Sequence, residues 1–133
     1  DMRQLIEQAL ELARTANDYQ GFRAAYHQRF RRAIACDSRE TVPATLAICR
    51  LAGGDPWKAV TYGANFGRDA DTIACMAGYV CGALSRDATA VDAALASLPQ
   101  NIADRERSLA HKLVSVAREK ARNEVQNWQP LAG

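Results

Sequence analysis

The segment Ile73-Ala74-Cys75-Met76-Ala77-Gly78-Tyr79-Val80-Cys81-Gly82-Ala83-Leu84 carries no charge over twelve residues, and it constrains the fold more than any other part of the chain. It falls well short of the roughly 20 apolar residues needed to cross a bilayer. The rest of the chain must therefore bury it, as a core helix running from after Asp69 to near Ser85-Arg86. Ala74, Gly78 and Gly82 recur every four positions, so one face of that helix is smooth enough for neighbouring backbones to approach closely. The surroundings are helical too. Twenty-six of the 133 residues are alanine, and proline and β-branched residues are sparse and never alternate for long, a pattern that favours close-packed helices over sheet. The expectation is one all-α domain, a compact orthogonal multi-helix bundle.

Flanking segments repeat the helical spacing. Met2, Leu5, Ile6, Ala9, Leu10 and Ala13 form one apolar stripe, and Phe22, Tyr26, Phe30 and Ile34 form a second after the Asn17-Asp18 break. Arg23, Arg29, Arg31 and Arg32 lie around the second stripe and read as a solvated helix face, with His27 as a surface or internally satisfied residue. Thr41 stands near an N-cap with Pro43 in the first turn, and Gly53-Gly54 closes a helix at Leu51. Asp55-Pro56 restarts the chain as N-cap and first helical residue of a segment reaching about Ala64, so these two helices should form a hairpin. Beyond Pro99, Leu109, Leu113, Val116 and Ala117 mark one side of a long amphipathic helix from Ile102 to Val125. Asn127 to Gly133 reads as a tail or docking strap.

Several function classes drop out on charge and cysteine usage. Seventeen Lys and Arg against fifteen Asp and Glu leave a formal charge of +2, too small for a general nucleic-acid trap. Cys36, Cys49, Cys75 and Cys81 form no CxxC pair and only two histidines exist, so neither a zinc site nor a disulfide framework is expected. All four should be free thiols, with Cys49, Cys75 and Cys81 as small core fillers. No signal peptide or membrane span is visible at the start, and reduced thiols fit a cytoplasmic location.

The chemistry concentrates in Asn65-Phe66-Gly67-Arg68-Asp69-Ala70-Asp71-Thr72. Two carboxylates and a hydroxyl within four residues at a helix start could converge on a hard divalent cation, because Mg²⁺ and Mn²⁺ prefer oxygen ligands. The same residues could equally cap the helix and complement its dipole. The Asp-x-Asp-x-Thr nucleophile loop of haloacid-dehalogenase-like phosphatases fits poorly, since Thr72 follows Asp71 directly and no apolar strand precedes the motif.

Four linked blocks bear on that choice. Glu40-Thr41-Val42-Pro43-Ala44-Thr45-Leu46-Ala47, Gly54-Asp55-Pro56, Asn65 to Ala74, and the pairs Ala77-Gly78 and Gly82-Ala83 together resemble, in order and spacing over residues 37 to 85, the C-terminal half of the ADP-ribosylglycohydrolase family. That family also includes the dinitrogenase reductase activating enzymes and a jellyfish lens crystallin. The resemblance implies an all-α fold with a binuclear Mg²⁺ or Mn²⁺ site, and hydrolytic release of ADP-ribose from a modified protein or small molecule. It assigns Asp69, Asp71 and Thr72 as metal ligands. It also implies that the remaining ligands, a Thr-Asp-Asp type cluster, and an acidic catalytic residue lie in an N-terminal half outside this chain, in the same polypeptide or in a separate one.

This sequence departs from the family pattern at two positions. Arg68 stands where many members have a second glycine, and Ala70 where many have threonine. Gly67 and Arg68 adjoin the implied substrate site, so Arg68 would either contact substrate phosphate or pair with an acidic neighbour. Glu40, near a helix start, reads as a cap. Two rival functions remain open at this level: a non-catalytic, crystallin-like or ADP-ribose-binding scaffold, and an independent helical interaction module.

Overall fold

A computed structural model describes residues 1–85 and 89–128. Among the described residues there are seven helices and no strand: α1 (Met2–Thr15), α2 (Tyr19–Phe30), α3 (Ser38–Leu51), α4 (Pro56–Ala64), α5 (Ala70–Leu84), α6 (Thr89–Ala96) and α7 (Gln100–Trp128). The chain divides into two compact units, Asp1–Val91 and Asp92–Gly133.

In the first unit α3 is central, packing against α1, α2, α4 and α5. Its core is built from small and aromatic side chains, with Ala9, Phe22, Tyr26, Ala44, Ala47, Ile48, Ala59, Phe66, Ala77 and Cys81 all fully buried. Alanine on facing helices lets the axes come close, and the aromatic rings fill what remains. Tyr26 stacks on Phe30 at 4.4 Å, and Tyr19 on Tyr62 at 4.3 Å. Each buried phenol finds an acceptor: the Tyr26 hydroxyl donates to the Glu40 carbonyl at 2.7 Å and that of Tyr19 to the Tyr62 carbonyl at 2.6 Å. Burial pushes the Tyr26 hydroxyl well above its ordinary pKa, so it stays a donor at any physiological pH.

Asp55 caps α4 through the Lys58 N–H, with Pro56 at the helix start, as the Asp-Pro pair predicts. The start of α3 differs from the expectation. Asp37 is the N-cap, its carboxylate accepting from the Arg39 N–H, and the helix begins at Ser38. Thr41 is inside the helix and buried. Proline at position 43 forfeits only the bond to the Arg39 carbonyl, close to the outer turn where the loss is tolerable, so a turn forms in front of it. Ile34 lies beyond the end of α2 and is 65% exposed. Helix α4 packs chiefly on α5, with α3 its lesser neighbour.

Helix α5 is one-sided. Ile73, Ala74, Ala77 and Cys81 face the core, whereas Tyr79 and Leu84 are exposed. Cys75 is exposed as well, so it is no core filler, although all four cysteines are free. Cys49 and Cys81 meet between α3 and α5, where burial pushes the Cys49 thiol up to about 12. The small-residue stripe works at two of its three positions. Ala74 abuts Gly63 so tightly that a Cβ there would sit 2.5 Å from the Ala74 Cα, and a Cβ on Gly78 would sit 2.8 Å from Val60 Cγ2; around Gly82 there is open space.

The second unit contains most of α6, the turn at Ser97–Pro99 and α7. Helix α7 runs two residues further at its start than the apolar pattern predicts, where the Ile102 and Ala103 amides bond back to the Pro99 carbonyl, and three residues further at its end. Leu109, Leu113 and Val116 are exposed on it. Of the expected tail, 127–128 belong to α7, and 129–133 lie outside the described residues. None of the described helices is long and apolar enough to cross a membrane.

The two glycines separate close packing from helix propensity. Gly63→Ala should destabilise by about 1–3 kcal/mol, since its methyl meets backbone that cannot rotate away. Gly82→Ala should stabilise by about 0.5–1 kcal/mol, since it gains propensity in open space. Urea denaturation midpoints of the two variants moving in the same direction would contradict this packing.

Candidate functional site

Residues Asn65–Asp69 connect α4 to α5 and deliver the acidic motif to the start of α5. Three elements clamp this connection. Phe66 is fully buried, with its ring against Phe22, Tyr26 and His27. Its carbonyl accepts from Arg23 Nε at 2.7 Å and contacts His27 Nε2 at 2.8 Å. A carbonyl can only accept, so His27 Nε2 carries a proton, and the buried Nδ1 has no hydrogen-bond partner among the described residues. Arg23 therefore fastens the connection rather than joining a solvated face, and His27 fastens it through the internal contact of Nε2.

The third clamp is an ion pair. Glu40, 1% exposed on α3, receives Arg68 Nε at 2.7 Å on one carboxylate oxygen, and Arg68 NH2 at 2.9 Å and the Arg32 N–H at 2.7 Å on the other. The Arg68 guanidinium also donates to the Arg32 carbonyl at 2.7 Å. Glu40 thus caps nothing in its own helix; it ties α3, the segment after α2 and the α4–α5 connection to one carboxylate. Burial raises the Glu40 pKa, but the Arg68 guanidinium and the Arg32 amide outweigh it and hold the carboxyl below its ordinary value. The same pairing raises Arg68. Sequence reasoning left two partners open for Arg68, substrate phosphate and an acidic neighbour. Its donors are turned to Glu40 and Arg32.

This arrangement forces unusual backbone. Gly67 has φ +87° and Arg68 has φ +62°, two consecutive left-handed residues of which the second carries a side chain. Glycine suits the first; at the second, an L side chain crowds its own carbonyl, and such strain persists only where surrounding contacts over-determine it.

Asp69 follows as the N-cap of α5. Of the five aspartates at the N-caps of α1 to α5, Asp1, Asp18, Asp37 and Asp55 accept hydrogen bonds from the amides of their helices. Asp69 makes no such bond. The backbone explains the difference: ψ is 177°, 123° and 116° at Asp18, Asp37 and Asp55 but 51° at Asp69, outside the extended region that aims a cap side chain at its helix. Its Oδ1 instead accepts from the Thr72 hydroxyl at 3.0 Å. Asp71 is exposed in the first turn. The structure therefore brings Asp69 and Thr72 together and leaves the Asp71 carboxylate at the same helix end. These oxygens suit a hard divalent cation in chemical type. Among the described residues no three His, Cys, Asp or Glu side chains gather closely enough to hold a metal by themselves.

Of these features, the residues of the motif were legible in the sequence, whereas the roles of Glu40, Arg23 and His27 were not. Glu40 and Arg68 lie 28 positions apart, and no local pattern joins them.

Comparison with known proteins shows the family. The profile of the ADP-ribosylglycohydrolase family matches residues 1–124. Over 91 residues, 68% of the chain, the sequence is 38% identical to the uncharacterized protein YegU of Escherichia coli (strain K12), and the match spans 26% of that relative. No solved structure matches the chain.

Acid titration should expose the buried pair. Glu40 is depressed in the folded state, so the stability it contributes is present above the ordinary glutamate value of 4.5 and is lost as pH falls through the lower folded value. Glu40→Gln should lower stability at neutral pH and flatten its decline in acid. Urea denaturation series whose pH slopes are parallel in wild type and variant would contradict the charge-paired geometry.

Proposed function

Because the chain belongs to the ADP-ribosylglycohydrolase family, we propose that it forms part of a metal-dependent glycosidase-type hydrolase that releases ADP-ribose from a modified protein or small molecule. The observation that carries this reading is the Asp69 carboxylate, which bonds none of the amides of its own helix and, among the described residues, takes only the Thr72 hydroxyl. An aspartate at a helix start ordinarily spends its side chain on the helix amides, and this one is held off them. Asp69 and Asp71 would supply the negative charge that makes a divalent pair stable there, and Thr72 a neutral oxygen. Three oxygens are too few against the hydration of Mg²⁺, so the remaining ligands would come from polypeptide outside this chain. When bound, Mg²⁺ or Mn²⁺ supplies Lewis acidity toward water and the ribose hydroxyls. The chain's own part is to present the two carboxylates from a fixed connection: Phe66 anchors it, Arg23 and His27 hold its carbonyl, and Arg68 ties it to Glu40. Water would then attack the anomeric carbon as the glycosidic bond to the modified group breaks, giving free ADP-ribose.

The Thr72 hydroxyl on Asp69 favours a second reading, since it is also what a self-contained turn would form. In that reading the fold is a non-catalytic scaffold, and Asp69 and Asp71 have only local electrostatic roles.

Differential scanning fluorimetry with Mg²⁺ and Mn²⁺, in the presence of the completing polypeptide, separates the two. Metal at about 100 times its Kd should stabilise the wild type by roughly 2.7 kcal/mol, and Asp71→Asn should abolish that gain while costing the metal-free protein little. Equal metal-dependent shifts in both proteins would remove Asp71 from the ligand set. A cost of about 1 kcal/mol in the metal-free variant with an unchanged metal response would mark a capping role.

A further inference from the structure

We propose that α7 is a pairing helix through which two copies of this chain associate as an antiparallel coiled coil, with Leu109 and Leu113 at its centre and Glu106 of each copy meeting Lys120 of the other. The inference goes beyond the hydrolase reading and does not depend on the metal ligands.

Helix α7 spans Gln100–Trp128, and from Asp104 to Gln126 every residue is exposed. A bare helix in water has little beyond its own hydrogen-bond ladder to hold it, and an apolar face is what ordinarily stabilises one. On α7 that face has a defined form. Ile102, Glu106, Leu109, Leu113, Val116 and Lys120 follow one another at alternating spacings of four and three, which is the seam along which two helices pack knobs into holes. The seam runs about 27 Å at the helical rise. Its apolar members, Ile102, Leu109, Leu113 and Val116, are 37%, 49%, 62% and 63% exposed. Apolar side chains gathered on one exposed face mark a site of association.

The charges on the seam select the partner. Glu106 and Lys120 interrupt it at equal distances on either side of Leu113. Neither makes an ion pair among the described residues, whereas Asp104 of the same helix pairs with Arg107. Two copies aligned in parallel would set Glu106 on Glu106 and Lys120 on Lys120. Turned end to end about the leucines, they bring each Glu106 within a turn of Lys120 on the other copy. Along one edge of the seam Arg105, Lys112 and Glu119 repeat the asymmetry, basic toward the helix start and acidic toward its end. Along the other edge Ala110 and Ala117 let the axes come close. The helix is thus its own complement in one direction only, and self-complementarity is what a two-fold interface requires. Charges within an apolar seam lower affinity and fix orientation.

Sedimentation velocity on the whole chain across the micromolar range tests the pairing, and wild type should show a reversible monomer–dimer equilibrium. Leu113→Asp, which sets two carboxylates near the two-fold axis, should abolish it. Glu106→Lys and Lys120→Glu should each weaken the dimer roughly 10- to 100-fold, because each turns two attractive contacts per dimer into two repulsive ones. The double variant Glu106→Lys/Lys120→Glu should restore the wild-type affinity. Glutamate and lysine are both strong helix formers, so the exchanges leave the helix itself intact. A chain that stays monomeric throughout overturns the inference. So does a dimer that survives Leu113→Asp, which places the interface elsewhere. Single charge variants that bind as tightly as wild type also overturn it, because parallel pairing exchanges one like-charge contact for another. A double variant no tighter than the singles overturns it as well, since each replacement would then act within its own helix.

Discussion

A carboxylate sealed inside a helical bundle stays charged only if donors replace the water it has lost. Glu40 has three hydrogen bonds from two residues, and each donor belongs to a different part of the chain from its own. Arg32 lies just beyond α2, and Arg68 lies between α4 and α5. Satisfying one charge therefore fixes three segments relative to one another. The aromatic cluster around Phe66 and Tyr26 does the same with apolar contacts, and the two devices share a wall, since Tyr26 donates to the Glu40 carbonyl. Loss of either would release the connection that carries Asp69.

The position of Asp69 follows from that constraint. Four aspartates in this chain behave as helix caps do generally, each with its side chain bonded to a first-turn amide, and Asp18, Asp37 and Asp55 do so from extended backbone. The fifth has the same residue type at the same helical position and a different backbone, imposed by two left-handed residues before it. What differs is the chain before the cap, where Gly67 and Arg68 are both left-handed and Arg68 is fastened to Glu40. Its carboxylate bonds none of the amides of its own helix and takes the Thr72 hydroxyl instead.

Much of the fold was legible in the sequence because its signals are local. Asp55-Pro56 and Gly53-Gly54 punctuate the chain through fixed φ, missing N–H groups and left-handed turns, and the structure uses them as read. The apolar stripe of α5 marks its length, ending at Leu84 with Ser85 as C-cap. The misreadings share a cause. Pro43 was read as a first-turn residue because proline is favoured there, but Asp37 builds a turn in front of it. Gly82 fits the small-residue stripe by spacing and Cys75 the apolar run, yet Cys75 is exposed and Gly82 meets open space, since sequence pattern defines a face without saying what covers it.

The sequence by itself determined that the chain is helical, where α4 and α5 begin and end, and which residues could bear metal chemistry, Asp69, Asp71 and Thr72. These properties depend on residues within a few positions of each other, where dihedral preference and hydrogen-bonding type act directly. Only the tertiary structure decided that Arg23 and His27 hold the Phe66 carbonyl, that Glu40 is buried and charged rather than a cap, and that Arg68 turns to it. Those contacts join residues 28 to 43 positions apart, and their existence depends on which helix faces close together, a choice made by burial of the whole core rather than by any local stretch of chain.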